Sequence, residues 1–334
     1  MSKARQLADL GNVYDDGALS NRNMVYNGAM QVHQRGNQSV SSGNSYSLDR
    51  WEVATTGGSA AYDLQQSTDV PTGQGFAKSF QLDVTTADVA MGSGDGYIFR
   101  QAFEGQDLQA IKKGSSNAEQ VTVQFWVKSP KAGTHIIELY DTDNTRQVSA
   151  SYSVTSANTW EKFTVTFPAD TTGAFDNDNA RSLILQWWLA AGTDFTSGTL
   201  NTSWASSTNA NRVVGQVNCL DDAANNFYIT GVQLECSDTA TPFEHRSYGD
   251  ELARCQRYYW QGSSAFYGSV YGSAGNSFVN IDLPVTMRAV PVVTFTSHNG
   301  GGSNIGIYNR PDRISEYLSD PSVSYVDPKA DAEL

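Results

Sequence analysis

The chain has 334 residues, of which 35 are acidic and 22 basic, giving a formal net charge of −13. That balance argues against nucleic acid as the main ligand, since phosphate contacts need clustered Lys and Arg. The 11% of aromatic residues argues against disorder, and no apolar run approaches the roughly 18 residues of a membrane span.

In chain order, Ser2 to Leu10 reads as a short helix, with Ala4, Leu7, Ala8 and Leu10 near helical spacing and Gly11 at the stop. The opening residues show no apolar stretch of a secretory leader. A polar, turn-rich segment follows, so residues 1–22 are expected to form an arm that docks on another protein. From Asn23 the pattern becomes short alternating strands between Gly, Ser, Asn and Asp clusters, as in Ser79–Val84, Val121–Val127, Glu161–Phe167 and Phe227–Leu234. Residues 23–246 are thus expected to be mainly β, a jelly-roll β-sandwich, interrupted by a helix over Asp107–Gly114. Tyr248–Tyr259 carries Leu252, Cys255 and Tyr259 on one helical face, so 247–260 reads as a linking helix. Strands over Phe278–Ile281, Leu283–Met287 and Val290–Phe295 then make 261–334 a smaller C-terminal β domain. Its core is small, which points to burial against copies of itself through Leu252, Tyr258 and Tyr259. Cys219, Cys236 and Cys255 lack metal-ligand spacing and read as reduced thiols.

Two stretches carry a resemblance. The first is Asn23-Met24-Val25-Tyr26-Asn27-Gly28, followed by Gln34-Arg35-Gly36 and Asp49-Arg50-Trp51. It resembles the opening of carbohydrate-binding-module jelly rolls. The second runs from Ile229 to Glu235, through Ala240–Arg246, to Glu251–Tyr259. With the opening Ala4–Asn12 and the terminal Ala330–Leu334, it looks like the tail fibre or minor tail proteins of tailed bacteriophages. The resemblance implies a non-enzymatic virion component, a homotrimer, made in the host cytoplasm. It would be anchored to tail or capsid proteins by its N-terminal arm through Arg5, Leu7, Leu10 and Tyr14, and could contact a host-surface glycan. Met30 and Gln31 depart from the carbohydrate-module pattern, where an aromatic and a Glu usually stand.

No nucleophile, P-loop or zinc-protease motif accompanies His33, His135, His245 or His298. A depolymerase would need two carboxylates about 5–9 Å apart, and the sequence marks no such pair. Asp141–Asn144 and Asp176–Asn179 begin like calcium loops but lack the downstream Gly and Glu, so they read as turns, with a structural calcium as the alternative and no other cofactor implied. For glycan stacking the candidates are Trp204, Trp188 and the nearby Asp194, because sugar faces need an exposed ring with polar groups beside it. Two functions lead, a receptor-binding tail fibre component, or a capsid or tail decoration or adaptor protein without a receptor role; a polysaccharide depolymerase stays third. None involves nucleic acid or membrane insertion.

Overall fold

Strand alternation sorts side chains onto two faces, and along Val121–Lys128 it does so cleanly. Val121, Val123, Phe125 and Val127 enter the core, while Thr122, Gln124, Trp126 and Lys128 take the other side. The structure is a computed structural model that describes Lys3 and residues 21–262, 268–270, 277–298, 304–318 and 326–334. Arg5, Leu7, Leu10 and Tyr14 of the expected arm lie outside the described residues.

The first strands are β1 Gln38–Val40, β2 Ser45–Tyr46, β3 Glu52–Thr56, β4 Ala61–Ser67, β5 Ser79–Thr86 and β6 Gly96–Glu104. Then come β7 Val121–Lys128, β8 Gly133–Asp141, β9 Arg146–Val154, β10 Glu161–Phe167, β11 Arg181–Ala191, β12 Ala205–Ser206 and β13 Asn226–Cys236. They form an antiparallel sandwich of a six-stranded sheet, β1-β4-β5-β13-β7-β10, and a seven-stranded sheet, β12-β9-β8-β11-β6-β3-β2. Neighbours distant in sequence, such as β13 between β5 and β7, give the crossovers of a jelly roll. Between the sheets Trp51 stacks on Phe99 at 4.6 Å, and Phe125 meets Trp187 edge-on at 5.2 Å.

Gly105–Asp107 and Gln109–Ile111 are two 3₁₀ turns rather than the expected α-helix. Leu108 and Ile111 are buried three residues apart, the spacing a three-residue turn aligns. A one-turn helix α1, Thr193–Thr196, follows β11. The expected linking helix is α2, Tyr248–Gln256, started by Ser247, whose hydroxyl oxygen accepts from the Asp250 amide at 3.2 Å. The C-terminal strands are β14 Tyr259–Gln261, β15 Gly268–Val270, β16 Ser277–Asp282, β17 Val292–His298, β18 Asn304–Ile307, β19 Arg313–Leu318 and β20 Val326–Asp331. They form the sheets β14-β20-β17 and β15-β16-β19-β18. Leu283–Met287 is no strand. Pro284 interrupts it, and the Met287 amide donates to Pro311 O at 2.8 Å, which turns the buried Met287 into the small C-terminal core. No helix among the described residues is long and apolar enough to cross a membrane.

Candidate functional site

Two regions concentrate polar and aromatic side chains, and they differ in what is left over for a ligand. The first is the joint between the jelly roll, α2 and the C-terminal unit, where the motif stretches meet. Asn23 accepts from the Val25 and Leu234 amides and donates to Val232 O. Glu244 accepts from the amides of Asn21 and Asn23 at 2.7 and 2.8 Å. Arg246 donates to the carbonyls of Asn23 and Val25. Glu251 takes the Asn27 amide at 2.6 Å, and the Trp51 indole donates to Asn27 O at 3.1 Å. A Cβ on Gly28 would come within 2.1 Å of Val232 O, so this turn requires glycine.

Further into the joint, the fully buried Arg50 pairs with Glu333 and donates to Ala102 O at 2.6 Å, with Tyr258 beneath it at 3.4 Å. Arg35 pairs with Asp331 at 2.9 Å and Glu333 at 3.1 Å, and lies 3.6 Å over the Tyr259 ring. Arg257 and the Tyr258 hydroxyl both donate to Glu104. Burial pushes Glu104 up, but these donors outweigh it and hold its carboxyl below the usual range. Asp49, buried and accepting twice from Gln34, is pushed by burial up to about 6. Tyr258 and Tyr259, expected as oligomer contacts, are buried within their own chain by these charges; Leu252 is half-buried. Between Arg35, Tyr46 and Tyr259 on one side and Val290, Val292 and Lys329 on the other lies a cleft of about 570 Å³.

The second region is the outer face of the six-stranded sheet. Register brings Gln65, Gln81, Tyr228 and Lys128 into one row across β4, β5, β13 and β7. Trp160, just before β10, closes that row; its indole donates to Asp69 at 2.8 Å. Lys128 donates to the other Asp69 oxygen at 2.6 Å and lies 5.1 Å from the centre of the Tyr228 ring. These two bonds overcome burial and hold the Asp69 carboxyl below its usual range. Tyr228 and Trp160 are half-buried, with centroids 6.2 Å apart at 60°. The adjacent row sets Asp63 opposite Asp83, and burial together with that neighbouring charge raises Asp83. On the other side, Trp126 and Phe76 border Gly231, whose positive φ of 63° marks a bulge in β13. Phe76 continues to Phe243 and His245, with centroids 5.0 and 5.5 Å away.

The expected glycan candidates fall elsewhere. Trp188 does point outward, from the seven-stranded sheet, but residues 192–217 cover it. Phe195 packs on its ring at 5.1 Å, Arg212 stacks on it at 5.1 Å, and its indole donates to the buried Glu138, so it offers no face to a sugar. Its neighbour Trp187 lies in the sandwich core, so both rings are buried and not one of them. Asp194 is exposed on α1. Trp204 is half-buried, with its indole donating to Pro168 O at 2.9 Å and Lys113 5.0 Å from its ring centre. Trp126 and Tyr228 do carry a signal in the sequence: each places an aromatic in the polar phase of an alternating strand. Trp160 and Phe76 lie off the strands and give none.

His135 and Cys219 meet in the interior, Sγ 3.9 Å from Nδ1. Burial lowers the imidazole and pushes the thiol up to about 12, so the pair is neutral and inert. Among the described residues no group of three or more His, Cys, Asp or Glu is placed to hold a metal ion.

No protein-family model and no curated protein matches the chain. Among solved structures it is similar to the enzymatically active domain of bacteriophage CBA120 tailspike protein 4, at 16% identity over 64% of this chain and 21% of that one, with a TM-score of 0.34. It is also similar to the C-terminal family 22 carbohydrate-binding module of Clostridium thermocellum Xyn10B, at 11% identity over 66% of this chain and 99% of the module, TM-score 0.34. A third is TmCBM61, solved with β-1,4-galactotriose, at 9% identity over 65% of this chain and all of that one, TM-score 0.32. The chain thus spans about a fifth of the length of the tailspike domain.

Proposed function

We propose that this chain recognises glycans through the outer face of its six-stranded sheet, as a non-enzymatic component of a tailed-phage virion. The observation that carries the glycan reading is the row Gln81, Tyr228, Lys128 and Trp160, in which two half-exposed rings stand among amide, carboxylate and ammonium groups. Sugars present apolar faces ringed by hydroxyls, and such a surface complements both. The resemblance of the motif stretches to tail proteins supplies the particle context: an N-terminal arm docked on tail or capsid proteins, and a homotrimer. The exposed Val290, Val292, Ile307 and Tyr308 of the C-terminal unit suit a contact between copies better than the buried Tyr258 and Tyr259 do. Those four side chains equally favour the second reading, a decoration or adaptor protein that binds a virion partner.

Affinity electrophoresis of the full chain against bacterial surface polysaccharides tests the glycan reading. Retardation that disappears in Trp160→Ala and Tyr228→Ala is expected. Equal retardation of the variants would move the site, and no retardation by any polysaccharide would leave the adaptor reading. Gold labelling of particles then separates tail from capsid, and removal of residues 2–10 should abolish incorporation if the arm is the anchor.

A further inference from the structure

Lys113 is a buried lysine on no recognised binding surface. The left-handed Lys112, at φ 53°, turns the chain so that the Lys113 side chain runs inward. Its ammonium is surrounded by four oxygens: Asp141 Oδ2 at 2.5 Å, Gly173 O at 2.7 Å, Thr172 O at 3.0 Å and Asp170 Oδ2 at 3.1 Å. The rings of Trp204 and Phe175 flank it at 5.0 and 5.2 Å. The oxygens come from two segments far apart in sequence: Asp141 at the end of β8, and Asp170, Thr172 and Gly173 in the first half of the loop that follows β10.

The surroundings are prepared for a cation. Asn144 donates to Asp141 through its amide and side chain, and Arg146 holds Asp170 in a fork at 2.8 and 3.1 Å. Burial pushes Asp170 up, yet Arg146 and Lys113 together bring it below its usual range. The ledger of charge is Lys113 and Arg146 against Asp141 and Asp170, two against two, so removal of Lys113 leaves one buried negative charge. Calcium prefers six to eight oxygens at about 2.3–2.6 Å. Four oxygens spaced at 2.5–3.1 Å match N–H donors instead.

We propose that this oxygen cage is a cation site of ammonium class which the chain fills with its own Lys113, so that the jelly roll carries a tethered structural cation. Asp141, first residue of a stretch that reads as a calcium-like loop, thereby has its carboxylate engaged by the ammonium.

Thermal melting of the full chain, Lys113→Ala and Lys113→Met, in sodium, ammonium, methylammonium and calcium chlorides at equal ionic strength, tests this. The wild type is expected to melt alike in all four and in EDTA. Lys113→Ala should lose on the order of 10 °C in sodium chloride and regain at least half of it in ammonium or methylammonium. Lys113→Met fills the space without charge and should regain nothing. If Lys113→Ala does not fold in sodium chloride, its refolding yield in ammonium chloride is read instead, and an increase is expected. The proposal is overturned if EDTA lowers the wild-type melting temperature, if calcium restores Lys113→Ala better than ammonium does, or if ammonium restores neither its melting temperature nor its yield.

Discussion

The joint and the outer sheet face are both rich in aromatic and charged side chains, yet they spend them differently. In the joint, Arg35, Arg50, Glu104 and Glu333 are largely buried and their charges are matched against one another. A ligand that engaged those four charges would have to displace a partner, at the cost of a buried unpaired charge. On the outer face, Asp69 fixes Trp160 and Lys128 while the Trp160 and Tyr228 rings stay half-exposed. Density of polar residues is therefore a poor guide to a binding site. What distinguishes one is the surface that remains after internal partners are counted.

The sharpest way to break this comparison is to disturb the joint and ask whether binding suffers. Arg50→Ala leaves Glu333 buried with only Arg35 beside it, and should cost about 3–5 kcal/mol in denaturant unfolding. It should also expose the connection near Tyr259 to limited proteolysis. Glycan affinity per folded molecule should be unchanged; a parallel loss would merge the two regions into one site. The next effect is on pH dependence. Asp49, with a folded value near 6 against an ordinary 3.8, opposes folding when ionised. Stability should rise as pH falls from 7 through 6 and level off near 4, by about 1–3 kcal/mol. Asp49→Asn has no such proton to take up, so its stability minus that of the wild type should shrink across that window.

The two regions were also unequally legible. Alternation alone defined β10 as Glu161–Phe167, because each of its residues follows the period-two rule. The joint was legible as motif residues but not as a contact set, since Asn23 and Glu244, or Arg50 and Glu333, are separated by more than two hundred residues. Loop closure over such distances leaves no local trace. For the outer face the signal was ambiguous: Trp126, Tyr228 and Trp188 all sit in the outward phase of their strands. Only the cover decides among them. Residues 192–217 bury Trp188, while Ser237–Thr241 cap Thr122 and Gln124 and stop short of Trp126. Cover by a long loop depends on tertiary packing, which periodicity does not encode.

Within the outer face, smaller effects rank the residues. Trp160→Ala or Tyr228→Ala removes one stacking ring and should weaken glycan binding about tenfold, with little change in melting temperature. Asp69→Ala touches neither ring directly. It deletes the acceptor for the Trp160 indole and the counter-charge of Lys128, so Trp160 regains rotamer freedom while its area is kept. The expected loss is about threefold in affinity, carried by a less favourable binding entropy in calorimetry. Asp69→Asn keeps an acceptor for the indole and should recover part of it. If Asp69→Ala instead matches the tenfold loss of Trp160→Ala, the carboxylate itself contacts the sugar, and the face is read by a polar group rather than by pre-set rings.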